Sequence, residues 1–296
     1  MILYNKDKWL DIWNNKKYEE IRNKILNSFK DLVFVDEGHR YFVGDRELFS
    51  VSVVTHIFKK HFDSIAESKK TSERNWDNPK SKYYRMTPEE ILAQWKKKSE
   101  DACSKGTERH EFGESCFYYM TGQYDKILPA FKDRLTSDGG FESKYPEEDA
   151  VVKMYQDMPI CYIPILAETK VYDANLGYAG TFDILFYYDA ELNGRSDEES
   201  GLFIMDWKTN EDLYKNFKEE KLLPPFDGLL DRPLSLYILQ LSLYQICLEN
   251  IGFKTAGRRI LWLKPEGVYD KIKLEEFTQT LRKRLSEINI KEHVHH

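Results

Sequence analysis

The chain reads as an α/β protein, more strictly α+β, in which a mixed central sheet is flanked by helices and follows a mostly helical N-terminal stretch. Three observations lead there. Residues 161–173, 178–188 and 202–209 are rich in β-branched and aromatic residues and are separated by turn formers, as strands are. Leu234 to Asn250 is apolar over a helical length and stops before Gly252, a favourable helix C-terminus. Counted from His110, the elements then run helix, three strands, helix, strand.

The elements follow in order. Trp9, Ile12, Trp13, Ile21, Ile25 and Phe29 recur at helical spacings, which predicts one or two amphipathic helices over 6–30. Leu32 to Val35, the turn Asp36-Glu-Gly38 and His39 to Val43 predict a small β-meander. Ser50 or Ser52 is placed to cap a helix running toward Phe58. Thr87-Pro-Glu-Glu90 is a helix start, with proline at the first position and acids near the positive end of the dipole. The next stretch, Gly106 to Tyr119, puts His110 and Glu114 four apart on one helix face. Residues 121–150 read as a loop-rich connection. Ala190 to Ser200 reads as a hairpin tip, and Asn210 to Pro233 as a long connection. Arg258 to Leu263 is a fourth strand, and Leu274 to Ile290 a last amphipathic helix. Lys291-Glu-His-Val-His-His296 reads as a frayed tail.

Composition narrows the class. At 296 residues with 41% hydrophobic and 32% charged, the chain can bury a sizeable core and is not expected to be disordered. No run reaches the roughly 20 apolar residues of a membrane span. The first residues lack the layout of a signal peptide, so a cytoplasmic location is expected. Cys103, Cys116, Cys161 and Cys247 form no CxxC pair and read as reduced thiols. A net charge of −6 argues against indiscriminate coating of nucleic acid but leaves room for a local basic channel. Lys59 to Lys105 has that character: lysines are interleaved with Trp76, Tyr83, Tyr84 and Trp95, a pattern suited either to phosphates and stacked bases or to a solvated helical face.

The candidate chemistry lies in Gly180-Thr-Phe-Asp-Ile-Leu-Phe186 and Gly201-Leu-Phe-Ile-Met-Asp-Trp-Lys-Thr209. Both carry acids inside apolar strands, where an unpaired charge costs several kcal/mol and therefore implies pairing or a metal ion. Asp206 and Lys208 are two apart and share a strand face, with Asp183 on the preceding strand. The two carboxylates are hard oxygen ligands of the kind Mg²⁺ or Mn²⁺ takes. An adjacent lysine can hold or deprotonate an attacking water, which makes this a candidate phosphodiesterase centre.

Taken together, Gly106 with His110, Glu168, Gly180 with Asp183, Asp206 with Lys208, and Gln240 with Tyr244 resemble the ordered motifs of the PD-(D/E)xK nuclease superfamily, within it the RecB-like branch. His39-Arg-Tyr-Phe42 and Leu48 to Val53 are similar to the opening of phage-type exonucleases of that branch. The resemblance covers roughly residues 100–264 and implies a restriction-endonuclease-like αβββαβ core at 100–296 behind an N-terminal lobe at 1–99. It further implies that His110 and the Trp207 carbonyl join Asp183 and Asp206 around one or two Mg²⁺ or Mn²⁺ ions. Lys208 would be catalytic, Glu168 would flank a second ion or orient Lys208, and Gln240 with Tyr244 would contact the DNA backbone. The superfamily's name-giving proline is absent, since Gly180-Thr-Phe precedes Asp183. The cysteine placement is wrong for the iron-sulfur cluster some members carry, so none is expected.

The expected function is a metal-dependent DNA exonuclease of phage or mobile-element recombination, replication or repair. It would act on linear duplex or single-stranded DNA, with a recombinase or single-strand-binding protein as a candidate partner and no membrane association. The alternatives are an endonuclease using the same site and a catalytically silent DNA-binding subunit on the same fold.

Overall fold

The computed structural model describes residues 6–137, 140–216 and 219–294. His295 and His296, the last of the tail expected to fray, lie outside the described residues. Residues 6–59 and 109–294 form one compact unit, and Lys60–Glu108 forms a second.

The larger unit opens with helices α1 (Lys6–Trp13) and α2 (Lys16–Ser28), then strands β1 (Leu32–Val35), β2 (Arg40–Val43) and β3 (Arg46–Ser50), then α3 (Val51–His56). Ser50 caps α3 by accepting from the Val53 amide at 3.2 Å, as its hydroxyl next to a free first turn allows. The smaller unit holds α4 (Ser64–Asn75) and the start of α5 (Pro88–Met120). There the Glu90 carboxylate accepts from the Thr87 amide at 2.7 Å, and the Thr87 hydroxyl accepts from the Glu90 amide at 3.3 Å, a reciprocal capping box. The Trp95 indole donates to the Tyr83 hydroxyl at 2.9 Å, while Trp76 and Tyr84 are exposed. Helix α5 continues through Gly106 and His110, so the boundary drawn from the sequence at residue 99 falls inside one unbroken helix.

The rest of the larger unit is α6 (Pro129–Lys132), α7 (Pro146–Asp157), β4 (Tyr162–Asp173), β5 (Tyr178–Tyr188), β6 (Gly201–Lys208), α8 (Pro233–Asn250), β7 (Thr255–Leu263), β8 (Tyr269–Lys273) and α9 (Thr278–Glu287). Two of these depart from the sequence reading. Helix α7 begins inside the stretch 121–150 expected to be loop and runs on to Asp157, fastened where the Glu148 carboxylate accepts from the Tyr145 amide at 3.3 Å. Strand β8 is polar and half exposed, so it pairs with β7 without an apolar run to announce it.

The eight strands form one mixed sheet, ordered β1-β2-β3-β5-β6-β7-β8 with β4 also paired to β5. Side chains alternate across it. Leu202 and Ile204 join a core with α2, α3, α8 and α9, whereas Phe203, Met205 and Trp207 join another with α5, α6 and α7. Among the described residues no helix is long and apolar enough to cross a membrane.

The sheet forks at one place. Strand β5 pairs in parallel with β3 at Tyr178 and Ala179, and antiparallel with β6 from Ile184 onward. Between those contacts, from Gly180 to Asp183, that edge of β5 carries no ladder partner among the described residues, while β6 runs on beside β7 through Lys208.

Candidate metal centre

The fork is where the acids meet. Extending the β5–β6 register one step beyond Ile184 and Met205 brings Asp183 opposite Asp206. The β4–β5 register likewise places Glu168 across from Asp183, between the pairs Ala167–Ile184 and Thr169–Phe182. Glu168 adopts φ 44°, a left-handed backbone rare for a residue with a side chain. Such strain concentrates where a side chain is aimed at a site.

His110, Glu168 and Asp183 each offer a ligand atom, and these atoms lie within 4.8 Å of one another. The His110 Nδ1 is 3.4 Å from Asp183 Oδ1, and the second Asp183 oxygen accepts from the Trp207 amide at 2.7 Å. Asp206 sits beside this trio as the ion-pair partner of Lys208, and Asp206 is fully buried. The Lys208 ammonium also lies 4.5 Å from the centroid of the Tyr237 ring, a cation–π contact. Thus His110, Glu168, Asp183, Asp206 and Lys208 converge, with the Trp207 backbone threaded between the two aspartates.

Two glycines make that convergence possible. A β-carbon on Gly180 would lie 2.8 Å from Tyr244 Cε1, so a bare backbone is required where Tyr244 crosses β5. One on Gly113 would meet the Trp207 ring at 2.8 Å, so α5 lies close enough to present His110 only because Gly113 has no side chain. Tyr244 is 3% exposed and receives the Gln240 side-chain amide at 3.2 Å. Both residues therefore stand at the fork, Gln240 partly buried and Tyr244 packed.

Burial drives the electrostatics. Burial, and then the neighbouring Asp183 charge, push the Glu168 carboxyl up to about 8. The same two causes push Asp206 up to about 6. Burial alone would raise Asp183 and lower His110, but their mutual contact wins, holding Asp183 below its ordinary value and His110 up to about 9. Against burial, Asp206 and Asp183 hold Lys208 above its ordinary value. Three acids and two bases therefore share a small volume, and the acids crowd one another.

A divalent ion fits this donor set. Glu168 Oε1 and Asp206 Oδ1 are buried without a hydrogen-bond partner among the described residues, while Asp206 Oδ2 is taken by the Lys208 ammonium. Leaving such acceptors unsatisfied costs on the order of 1–3 kcal/mol each, more when charged. One imidazole and several carboxylates suit Mn²⁺ or Mg²⁺.

Sequence spacing singles out Glu114 beside His110 but not Tyr237. Tyr237 is held by donating to Asn210 Oδ1 at 2.9 Å, and the Trp262 indole donates to the Asn210 carbonyl at 2.8 Å, so the segment after Lys208 is clamped. Tyr237 precedes Gln240 by three residues, a same-face spacing that was legible. Glu114, one turn after His110, accepts from the Tyr118 hydroxyl at 2.7 Å and is raised, chiefly by burial. No protein-family model matches the chain, and no curated protein matches it.

Proposed function

We propose that the protein is a metal-dependent DNA nuclease, an exonuclease that hydrolyses phosphodiester bonds, built on the restriction-endonuclease-like core of the RecB-like PD-(D/E)xK nucleases. The observation that carries this reading is the pairing of an incompletely satisfied ligand trio, His110, Glu168 and Asp183, with a buried Asp206–Lys208 ion pair at the sheet fork. Ion binding alone would need the acids. The buried lysine adds a cation that has no use in a simple cation site.

His110, Asp183, Asp206, Glu168 and the Trp207 carbonyl would hold the Mg²⁺ or Mn²⁺. When bound, the ion supplies Lewis-acid polarisation of the phosphate and lowers the pKa of water. Asp206 keeps Lys208 charged and fixed, so its ammonium can orient the attacking water and offset charge building on the phosphate oxygens. Tyr237 closes one side of Lys208 and excludes water from it. Asp183 ties β5 to β6 through the Trp207 amide, which sets the spacing between the two halves of the site. Gln240 and Tyr244 stand on the α8 side of the fork, Gln240 to meet the DNA backbone and Tyr244 to hold it there.

The test is digestion of end-labelled linear DNA and of circular single-stranded DNA with Mn²⁺. Mononucleotides released from the linear substrate, with the circle intact, are the expected result. Cleavage of the circle would make the protein an endonuclease, and no cleavage of either would refute the nuclease reading.

A further inference from the structure

A groove of about 470 Å³ includes Glu168 in its wall and is bordered by Arg22, Lys30, Lys126 and Lys170. All lie within the larger unit. Arg22 is 8% exposed, with its guanidinium 3.6 Å from the Trp13 ring centroid. One of its terminal nitrogens donates to the Trp13 carbonyl at 2.8 Å, and the other, Nη1, is buried with no partner among the described residues. Lys126 lies 5.6 Å from the Tyr118 ring centroid, and Lys170 lies 5.3 Å from that of Phe34.

None of these four cations forms an ion pair among the described residues. In a chain with 50 acidic and 44 basic residues, four unpaired cations gathered on one wall mark a place for an external anion. Glu168 is the acid in its wall, and the nearby Glu114 is engaged by Tyr118. The volume falls within the range of sites for ligands of a few ring systems, too small for a duplex and suited to one or two nucleotides of one strand.

We infer that this groove is the track along which a single polynucleotide strand leaves or enters the metal centre, with Lys30, Lys126, Lys170 and Arg22 neutralising its phosphates. The inference rests on the nuclease reading for its connection to cleavage, but not for the binding it predicts. Tyr118 offers a ring beside Lys126, on which an unpaired base can stack.

The experiment is fluorescence anisotropy of a labelled single-stranded oligonucleotide in EDTA, over a NaCl series, so that no metal chemistry enters. For single strands, log K falls with log salt by about 0.7 per phosphate contact. Replacing Lys30, Lys126 and Lys170 with Gln should therefore make the slope shallower by about 2. A second variant, with only the exposed Lys30 and Lys126 changed to Gln, should flatten it by about 1.4 and guards against misfolding of the first. Changing Lys16, Lys271 and Lys283 to Gln removes the same charge elsewhere and should leave the slope as in the wild type.

Equal slopes for the wild type and both groove variants would overturn the inference, as would a wild type that binds no strand. If the groove variants flatten the slope while the wild type cleaves nothing with Mn²⁺, the groove stands and the nuclease reading falls.

Discussion

Two acidic clusters in this protein have the same number of metal-capable ligands and opposite physics. One is His110, Glu168 and Asp183; the other is Asp189, Glu191 and Asp197. In the second, Asp189 accepts from the Lys17 ammonium and from the Tyr18 hydroxyl, each at 2.8 Å, and its other oxygen accepts from the Glu191 amide at 3.2 Å. Glu191 and Asp197 are exposed to water. Every buried oxygen there has a donor, and the cluster's work is to fasten α2 to the end of β5. In the first, Glu168 keeps an oxygen without a donor, and Asp206, though paired with Lys208 through one oxygen, keeps another. Proximity of acids alone therefore does not identify a site; here it is the buried carboxylate oxygens without donors that set the first cluster apart.

The largest effect that separates the two concerns cleavage. Asp183→Asn and Lys208→Ala should each slow hydrolysis of linear DNA with Mn²⁺ by about 10² to 10⁴-fold, the range for positioned acid–base and charge-stabilising groups. Asp189→Ala should leave the rate within about twofold, since Asp189 touches neither the ligand trio nor Lys208. Initial rates on one end-labelled substrate compare all three.

Packing beneath the fork gives the next effect. Gly180→Ala places a β-carbon 2.8 Å from Tyr244 and 3.0 Å from Val51. Overpacking of this kind costs about 1–3 kcal/mol, read as a lower urea midpoint with an unchanged m-value. Asp189→Ala should cost about 1–2 kcal/mol, because it removes hydrogen bonds to a buried tyrosine and to a lysine that is partly screened by water. If Asp189→Ala left stability unchanged, the second cluster would not be the fastening described above.

A third effect is a difference of sign with pH. Stability rises with pH wherever the unfolded chain binds more protons than the folded one. Asp189 is lowered in the fold, against burial, by Lys17 and Tyr18, so its contribution is present above the unfolded carboxyl value and is lost as pH falls through the folded one. Glu168 is raised to about 8, first by burial and then by Asp183, so without metal the fold holds its proton longer than the unfolded chain does. Its contribution is complete below the unfolded value near 4.5 and is lost as pH rises toward 8. In EDTA, Glu168→Gln should flatten the decline between those limits, and Asp189→Asn should flatten only the acid limb. Urea midpoints from pH 3 to 9 supply both curves.

Much of this was legible in the sequence, for identifiable reasons. Strands β4 to β6 and helix α8 announce themselves because burial on both faces demands apolar runs. Asp183 and Asp206 stand out against those runs. Helix α7 was hidden behind polar residues, although Tyr145-Pro-Glu-Glu148 carries a start signal like that of Thr87-Pro-Glu-Glu90. Strand β8 was hidden because an edge strand need not be apolar. The tasks of Gly113 and Gly180, the strained backbone of Glu168 and the convergence of four cations on the Glu168 groove depend on which elements pack together, and spacing along the chain does not encode that.

The central claim is that the trio at the fork, and not the better-satisfied cluster at Asp189, holds the divalent ion. Calorimetric titration of Mn²⁺ into the wild type, Asp183→Asn and Asp189→Asn tests it most directly. A binding isotherm for the wild type that Asp189→Asn retains and Asp183→Asn loses is expected. An isotherm kept by Asp183→Asn, or one that disappears with Asp189→Asn, would contradict it.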